Sequence, residues 1–261
     1  MCSSDLFRGL TVFKDTLYVS KGSGGNGINT VYQVGSTGVL PTISNAPGTP
    51  PSLLNEPIQI LPGFPTTLAS GLGLDGKTGH QVSFPFGLWF ADETTLYVCD
   101  EGDGTLVTGQ TINGKTNVAD AATLATAGVQ KWRLVNGTWT LQYVLQDGLD
   151  LGIPYSVANY PKSLNPATDG CRNLTGNRNR DGTVDIYAIT STVSSNGDQG
   201  ADPNKLVKVT DLLNATTAPV GDGDHDKDDS WGHFTTIRSA KAGEVLRGVA
   251  FSPKDQDDDD N

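Results

Sequence analysis

The feature that most constrains this chain is an internal repeat of two short strands joined by a tight turn. An apolar segment, a turn and a segment of the type Thr-Leu-Tyr-Val occur at Arg8–Val19 and recur at Phe86–Val98. A variant of this pattern occurs at Asn173–Ile189, and the apolar first segment alone recurs at Arg247–Phe251. Self-similarity at a spacing of roughly 80 to 90 residues predicts a repeat architecture.

Each repeat continues with further segments that are typical of strands. They alternate apolar and polar residues and are rich in β-branched side chains. In the middle repeat the last two strands are joined by an Asn136-Gly137 turn, which favours a hairpin. The third strands are Thr30–Val34, Val129–Leu134 and Lys205–Val209, and the fourth strands identified are Thr138–Leu145 and Phe234–Ile237. The chain is therefore predicted to be all-β.

Four-stranded antiparallel repeats are the blades of a β-propeller. We predict three blades, at about residues 8–70, 85–146 and 171–240, and one further closing strand at 247–253. Three blades are fewer than the roughly four to eight that close a ring, so the ring is expected to be incomplete. A β-sandwich is the alternative, although repeats of this length are not typical of it.

The sequences at the two ends of the chain differ from the predicted blades. Residues 1–6 match the translation of a common sequencing adapter. We therefore expect an N-terminally truncated metagenomic fragment, from which upstream blades and any signal peptide are missing. Residues 255–261 are expected to form an acidic tail. The open strand edges of an incomplete ring predict that the fragment associates with itself.

Charge and hydropathy narrow the classes of partner. The formal net charge of −11 opposes binding to phosphate backbones, so no nucleic-acid partner is expected. No apolar run approaches the roughly 18 residues of a membrane span, so no span is predicted. Residues 22–27 spell G-x-G-x-x-G, but a strand follows where a dinucleotide site requires a helix. No nucleotide cofactor is therefore expected.

The long loops after the second and fourth strands are predicted to concentrate on one face, where propellers and other rigid scaffolds commonly bind ligands. Carboxylates on such a face can hold a hard cation or act as general acid and base, and solvated turn residues are the alternative. The catalytic candidates there are Asp100, Glu101, Asp103, Asp198 and His80. The ligand-binding candidates are Asp202, Tyr155 and Tyr160, where the tyrosines either stack on sugar rings or pack in the core.

Two segments are candidates for calcium binding. The loop Asn177–Asp185 is similar to the nine-residue calcium loop of integrin-type propellers, but it has Asn at two ligand positions and two added arginines. A second segment has carboxylates at alternate positions, as in an EF-hand, without the EF-hand glycine. The candidate metal ligands are Asn177, Asn179, Asp181 and Asp185 in the first segment, and Asp222, Asp224, Asp226 and Asp228 in the second. The alternatives are an ordinary Asp-Gly turn and a solvated acidic loop.

Two cysteines outside the first six residues, Cys99 and Cys171, fall in consecutive predicted blades. They would form a disulfide in an oxidising compartment if folding brings them together, which the sequence does not determine. A bridge and two free thiols both remain open.

Three segments, Gly87–Gly104, Ala127–Gln146 and Leu246–Pro253, resemble secreted bacterial β-propeller proteins of uncharacterised function. The resemblance covers nearly the whole chain after Leu6 and implies a propeller fold and an extracellular or periplasmic location. The repeats are more distantly similar to propeller lactonases, phytase-like esterases and quinoprotein dehydrogenases. No metal or cofactor motif of those enzymes can be matched residue by residue, and a shared fold alone does not assign an activity.

Three functions are compatible with these observations. The first is a secreted or periplasmic propeller that binds a ligand, such as a glycan or an extracellular polymer, on its long-loop face, with Ca²⁺ in a structural role. The second is a metal-dependent hydrolase of an ester, a lactone or a phosphoester, with a carboxylate-lined funnel. The third is a structural surface protein that neither binds a ligand nor turns over a substrate.

Overall fold

The structure is a computed structural model, and almost all of its regular secondary structure is β-strand. Three four-stranded antiparallel sheets account for the fold, which confirms the predicted all-β class and the predicted blades. The sheets form an open arrangement and not a closed ring. The described residues are 6–23, 27–42, 56–68, 83–102, 111–112, 115–116, 125–193, 200–219 and 231–252.

Each blade is a meander in which successive strands pair side by side. Blade 1 contains β1 (Leu6–Phe13), β2 (Thr16–Ser23), β3 (Thr30–Val34) and β4 (Ile58–Ile60). Blade 2 contains β5 (Pro85–Asp92), β6 (Thr95–Asp100), β9 (Gly128–Val135) and β10 (Thr138–Leu145). A small hairpin, β7 (Thr111–Ile112) and β8 (Lys115–Thr116), lies within the connection from β6 to β9. Blade 3 contains β11 (Ala167–Arg178), β12 (Thr183–Val193), β13 (Lys205–Leu212) and β14 (Thr235–Ser239).

The blades are joined along their first strands, which form the inner edge of the molecule. Strand β1 packs against β5, and β5 packs against β11. The approach is close because each contact uses a glycine. A side chain at Gly9 would overlap the Phe86 carbonyl, and one at Gly87 would lie 2.7 Å from the Arg172 carbonyl oxygen. Backbone approach of this kind requires a residue without a Cβ.

The hydrophobic core lies between blades, in two layers. One layer joins blades 1 and 2 and the other joins blades 2 and 3. Strand β6 contributes to both, because its side chains alternate between the two faces of the sheet. Leu96 and Val98 face blade 1, whereas Tyr97 and Cys99 face blade 3. Every residue of β6 is consequently buried.

The predicted closing strand at 247–253 is not formed, since residues 240–252 lie outside any strand. The segment nevertheless lies beside the first strand of blade 3. Asn173 Nδ2 donates a hydrogen bond to the Arg247 carbonyl at 2.6 Å, and the Phe251 ring lies 5.4 Å from the Tyr187 ring. The first strand of a blade pairs with the second strand of that blade, and the described residues provide no such partner. The described part of this segment therefore contacts blade 3 without forming a strand of its own.

The connections between strands leave the blades at two ends. We call one end the upper face; it carries the connections β2–β3, β6–β9 and β12–β13. The opposite end, with the connections β1–β2, β5–β6 and β11–β12, is the lower face. The prediction that long loops concentrate on the upper face is wrong. The connections from β3 to β4 (35–57) and from β13 to β14 (213–234) leave the lower face and are also long. The short strand β4 was not recognisable from sequence, so the first of these connections was not located.

The two cysteines of the predicted blades lie together in the core. Cys99 and Cys171 are both buried and lie close enough for their thiols to hydrogen-bond, but they are free and not bridged. Burial raises the pKa of the Cys99 thiol, mainly because the charged thiolate would lose its hydration.

Among the described residues, no helix has the length and apolar character that crossing a membrane requires.

Candidate ligand-binding site

The candidate site lies on the upper face, near the inner edge, where strand β6 ends. The two candidate residues described at this point are Asp100 and Glu101, and both are fully buried. Their surroundings determine whether either carboxylate can contact a ligand.

Asp100 holds the backbone at the end of β6. Its Oδ2 accepts hydrogen bonds from Ser83 Oγ at 2.8 Å, from the Phe84 amide at 2.8 Å and from Gln130 Nε2 at 2.9 Å. Its Oδ1 accepts a hydrogen bond from the Gly102 amide at 3.0 Å. Burial raises the pKa of Asp100 to about 7, and these hydrogen bonds oppose the rise. Asp100 thus stabilises the loop and has no exposed oxygen for a metal or a substrate.

Glu101 is an ion-pair partner between blades. Arg172 Nε donates a hydrogen bond to Glu101 Oε2 at 3.0 Å, and Arg8 Nη2 lies 3.9 Å from Glu101 Oε1. The Glu101 backbone is also held, because Ser191 Oγ donates a hydrogen bond to its carbonyl at 2.7 Å. A buried carboxylate with such partners ties β6 to its neighbours and lacks the solvent access that a water-activating base requires.

Arginines from the first strands of blades 1 and 3 therefore surround Glu101. Arg8 and Arg172 both lie over the Phe86 ring, with their guanidinium carbons 5.7 and 5.3 Å from its centroid. Arg247 lies near Arg172, because a Cβ at Gly200 would overlap Arg172 Nη1 and would lie 3.2 Å from Arg247 Nη1. We call Arg8, Arg172 and Arg247 the inner-edge arginine cluster.

Sequence reasoning did not identify this cluster, although a signal for it was present. Arg8, Arg172 and Arg247 begin the same segment of the repeat in blade 1, in blade 3 and in the segment after blade 3. Phe86 is the residue at that position in blade 2. Aligning the repeats on their first strands would have shown Arg8, Phe86, Arg172 and Arg247 at equivalent positions.

The predicted ligand-binding residues Tyr155, Tyr160 and Asp202 are held in the loops next to blade 3. Tyr160 donates a hydrogen bond from its hydroxyl to Asp202 Oδ1 at 2.8 Å, and Tyr155 donates one to the Pro203 carbonyl at 2.7 Å. Lys205 Nζ lies 4.2 Å from the centre of the Tyr155 ring. Burial, followed by the hydrogen bond to Asp202, raises the pKa of Tyr160 to about 12. Both rings are half-buried, so they fix the loop before blade 3 and offer a ligand only part of their surface.

The predicted calcium loop forms the hairpin between β11 and β12 at the lower face. Asp181 Oδ1 accepts hydrogen bonds from the Thr183 amide at 3.0 Å and from Thr183 Oγ1 at 2.7 Å. Asn177 and Asn179 bond within the same hairpin, and Asp185 pairs with Lys208 Nζ at 3.0 Å. These contacts are those of a compact turn, with Gly182 at φ +87°. Calcium binding by this loop stays a prediction.

The other predicted residues lie outside the described parts of the chain: His80, Asp103, Asp198, Asp222, Asp224, Asp226 and Asp228. A search confined to the described residues finds no group of three or more His, Cys, Asp or Glu side chains arranged to hold a metal ion.

Comparison of the chain with models of known protein families gives no match, and comparison with curated proteins gives none. The fold is therefore assigned from the structure, and the function has to be argued from the site.

Proposed function

We propose that this protein is an extracellular or periplasmic ligand-binding module that recognises a carboxylate-bearing polymer, such as an acidic glycan, at the upper face. The observation that supports the proposal is the inner-edge arginine cluster. Arg8 and Arg172 pair with Glu101, and Arg247 lies close to Arg172, so three guanidinium groups come together at one place on the upper face.

Arginine is suited to this role because its planar guanidinium binds carboxylates through two parallel hydrogen bonds. The Phe86 ring stacks with Arg8 and Arg172 and holds both in place, which lowers the entropy lost when a ligand binds. Arg247 is exposed, so it is the member of the cluster that an incoming ligand reaches most easily.

The charge of the whole chain adds specificity to this arrangement. With a net charge of −11, most of the surface repels polyanions, and a local positive cluster confines binding to one place. Binding is therefore expected to weaken as salt concentration rises, because the interaction between exposed charges is screened.

The test compares two polymers that share one backbone. Polygalacturonate carries a carboxylate on each residue, and its methyl ester has the same sugars without the charge. We expect isothermal titration calorimetry to show saturable binding of polygalacturonate and at least a tenfold weaker interaction with the ester. The replacement Arg247→Ala should weaken binding about tenfold or more, since a charge-assisted hydrogen bond contributes about 1.5 to 3 kcal/mol.

Arg180→Ala is the matched control. Arg180 is also exposed, but it lies in the β11–β12 hairpin at the lower face, so its removal changes the net charge equally and leaves the cluster intact. Equal affinity for the two polymers, or equal loss of affinity in both variants, would contradict the proposal.

The hydrolase hypothesis stays a prediction that depends on Asp103, Asp198 and His80, all outside the described residues. No observation on the described part of the site favours it over binding.

A further inference from the structure

The repeat places equivalent residues at the two interfaces between blades, and the strand register identifies them. Tyr18 pairs with Gln33 in blade 1, and Tyr97 pairs with Lys131 in blade 2. Gln33 is thus the counterpart of Lys131.

The same reasoning extends to the blade on the other side of each interface. Tyr187 pairs with Lys208 in blade 3, so Lys208 is the counterpart of Lys131. Asp211 follows Lys208 by three positions, just as Leu134 follows Lys131 by three. Asp211 is therefore the counterpart of Leu134. The interface of blades 1 and 2 therefore has Gln33 and Leu134 where the interface of blades 2 and 3 has Lys131 and Asp211.

Between blades 2 and 3 this position is filled. Lys131 Nζ lies 3.0 Å from Asp211 Oδ2 and 2.8 Å from Tyr143 Oη, and all three side chains are buried. The Tyr97 hydroxyl donates a hydrogen bond to Asp211 at 2.6 Å. The ion pair and the two tyrosines occupy the space between the sheets.

Between blades 1 and 2, none of the described residues fills the same position. A cavity of about 420 Å³ lies there, at the lower face, and Gln33, Leu134 and Tyr18 are all part of its lining. This volume lies within the range of about 300 to 1,000 Å³ that is usual for small-molecule sites.

The inner wall of the cavity is aromatic and uncharged. Phe13 and Phe90 stack at 4.7 Å with an angle of 9° between their planes, and Trp139 packs edge-on against Phe90 at 5.9 Å. The charged groups of the lining, Lys14 and Glu93, are exposed at the rim and pair with each other. Nothing in this lining balances a charged ligand, so an uncharged one is favoured.

We propose that this cavity, which we call the interblade cavity, binds an uncharged small molecule with one or two aromatic rings. Its ring would contact the faces and edges of the Phe90 and Trp139 side chains, since aromatic groups prefer offset or edge-to-face contacts with one another. Polar groups on the ligand would meet Thr16, Gln33 and Thr37, which give the cavity its polar side. The inference is independent of polymer binding at the upper face.

The test uses a matched pair of probes, 2-naphthol and decahydro-2-naphthol, which have the same ring skeleton and hydroxyl but differ in aromaticity. Saturation-transfer NMR titrations of the intact chain at pH 7 should show saturable binding of 2-naphthol, and at least fivefold weaker binding of the saturated alcohol. The replacement Thr37→Trp puts a large side chain at the cavity rim and should weaken 2-naphthol binding at least tenfold. Ser36→Trp is the control, because Ser36 is an exposed neighbour that does not line the cavity.

A second variant distinguishes a filled cavity from a local folding defect in Thr37→Trp. Gln33→Lys combined with Leu134→Asp builds the ion pair of the other interface into the cavity and should also abolish binding, with a cooperative thermal transition retained. The proposal is overturned if the folded wild-type chain shows no saturable binding of 2-naphthol, if both alcohols bind equally, or if Thr37→Trp binds as tightly as Ser36→Trp. Polymer binding at the upper face should be unchanged in every one of these variants.

Discussion

The interface between blades 1 and 2 and the interface between blades 2 and 3 use the same strand register but different chemistry. The first is lined with aromatic side chains and contains a cavity of about 420 Å³. The second contains a buried Lys131–Asp211 ion pair bonded to Tyr97 and Tyr143. The repeat therefore fixes where the sheets meet, and a few side chains decide whether the space between them is filled.

The buried pair should make the second interface the more sensitive of the two to a single change. Asp211→Leu introduces the residue that blade 2 has at the equivalent position, Leu134, but leaves the Lys131 charge buried without its carboxylate. We expect the free energy of unfolding to fall by about 4 kcal/mol, because breaking a buried pair typically costs about 3 to 5 kcal/mol. Urea denaturation followed by circular dichroism measures the change.

The double variant Lys131→Met with Asp211→Leu is the control for that experiment. It removes both charges and should recover most of the lost stability, since replacing a buried pair by apolar residues of similar volume is often neutral. A double variant as unstable as Asp211→Leu alone would show that the pair is not what closes this interface.

The first interface has a titratable group of its own at the upper face. Asp100 is on the side of β6 that faces blade 1, and burial raises its pKa from 3.8 to about 7. The native chain then binds more protons than the unfolded chain between these two pH values, so stability is highest below pH 4 for this group and falls as pH rises towards 7. The contribution between pH 4.5 and pH 7.5 is about 3 kcal/mol.

Asp100→Asn is uncharged at every pH and should lose this part of the pH dependence. The measurement is the free energy of unfolding of both proteins at pH 4.5 and at pH 7.5. The change between the two pH values is then compared between the proteins, so that any effect of the substitution that does not depend on pH cancels. Identical pH dependence in the two proteins would show that Asp100 is ionised throughout this range.

A third occurrence of the same tyrosine–lysine arrangement, Tyr187 with Lys208, has no further blade against it among the described residues. Lys208, the counterpart of Lys131, pairs with Asp185 on the outer face of blade 3, where both side chains are partly exposed. Because solvent screens such a pair, Asp185→Asn should lower the free energy of unfolding by less than about 1 kcal/mol. A loss comparable to that of Asp211→Leu would mean that burial does not explain the contrast between the interfaces.

The blades could be predicted from sequence because strand patterns are local. Alternation along segments such as Thr95–Val98 and the Asn136-Gly137 turn depend on neighbouring residues only, and they gave the correct fold class. Strand β4 was missed because it has three residues, too few for a period to be recognised.

The site was harder to predict because exposure is not a local property. Asp100 and Glu101 follow a strand end in an acidic chain, a pattern that is also typical of exposed loop residues, yet both are buried between blades. The arginines of the inner-edge cluster come from distant segments, Arg8, Arg172 and Arg247, which meet only when the blades pack together.

The sequence by itself determined the strands, their antiparallel order and the repeat that makes three similar blades, because these follow from local periodicity and turn residues. The tertiary structure alone decided which carboxylates are buried, which arginines converge, and which of two equivalent interfaces has a cavity. The reason is physical: burial and charge pairing depend on the distance between sheets, and that distance is set by contacts between residues of different blades, such as Gly9 with Phe86.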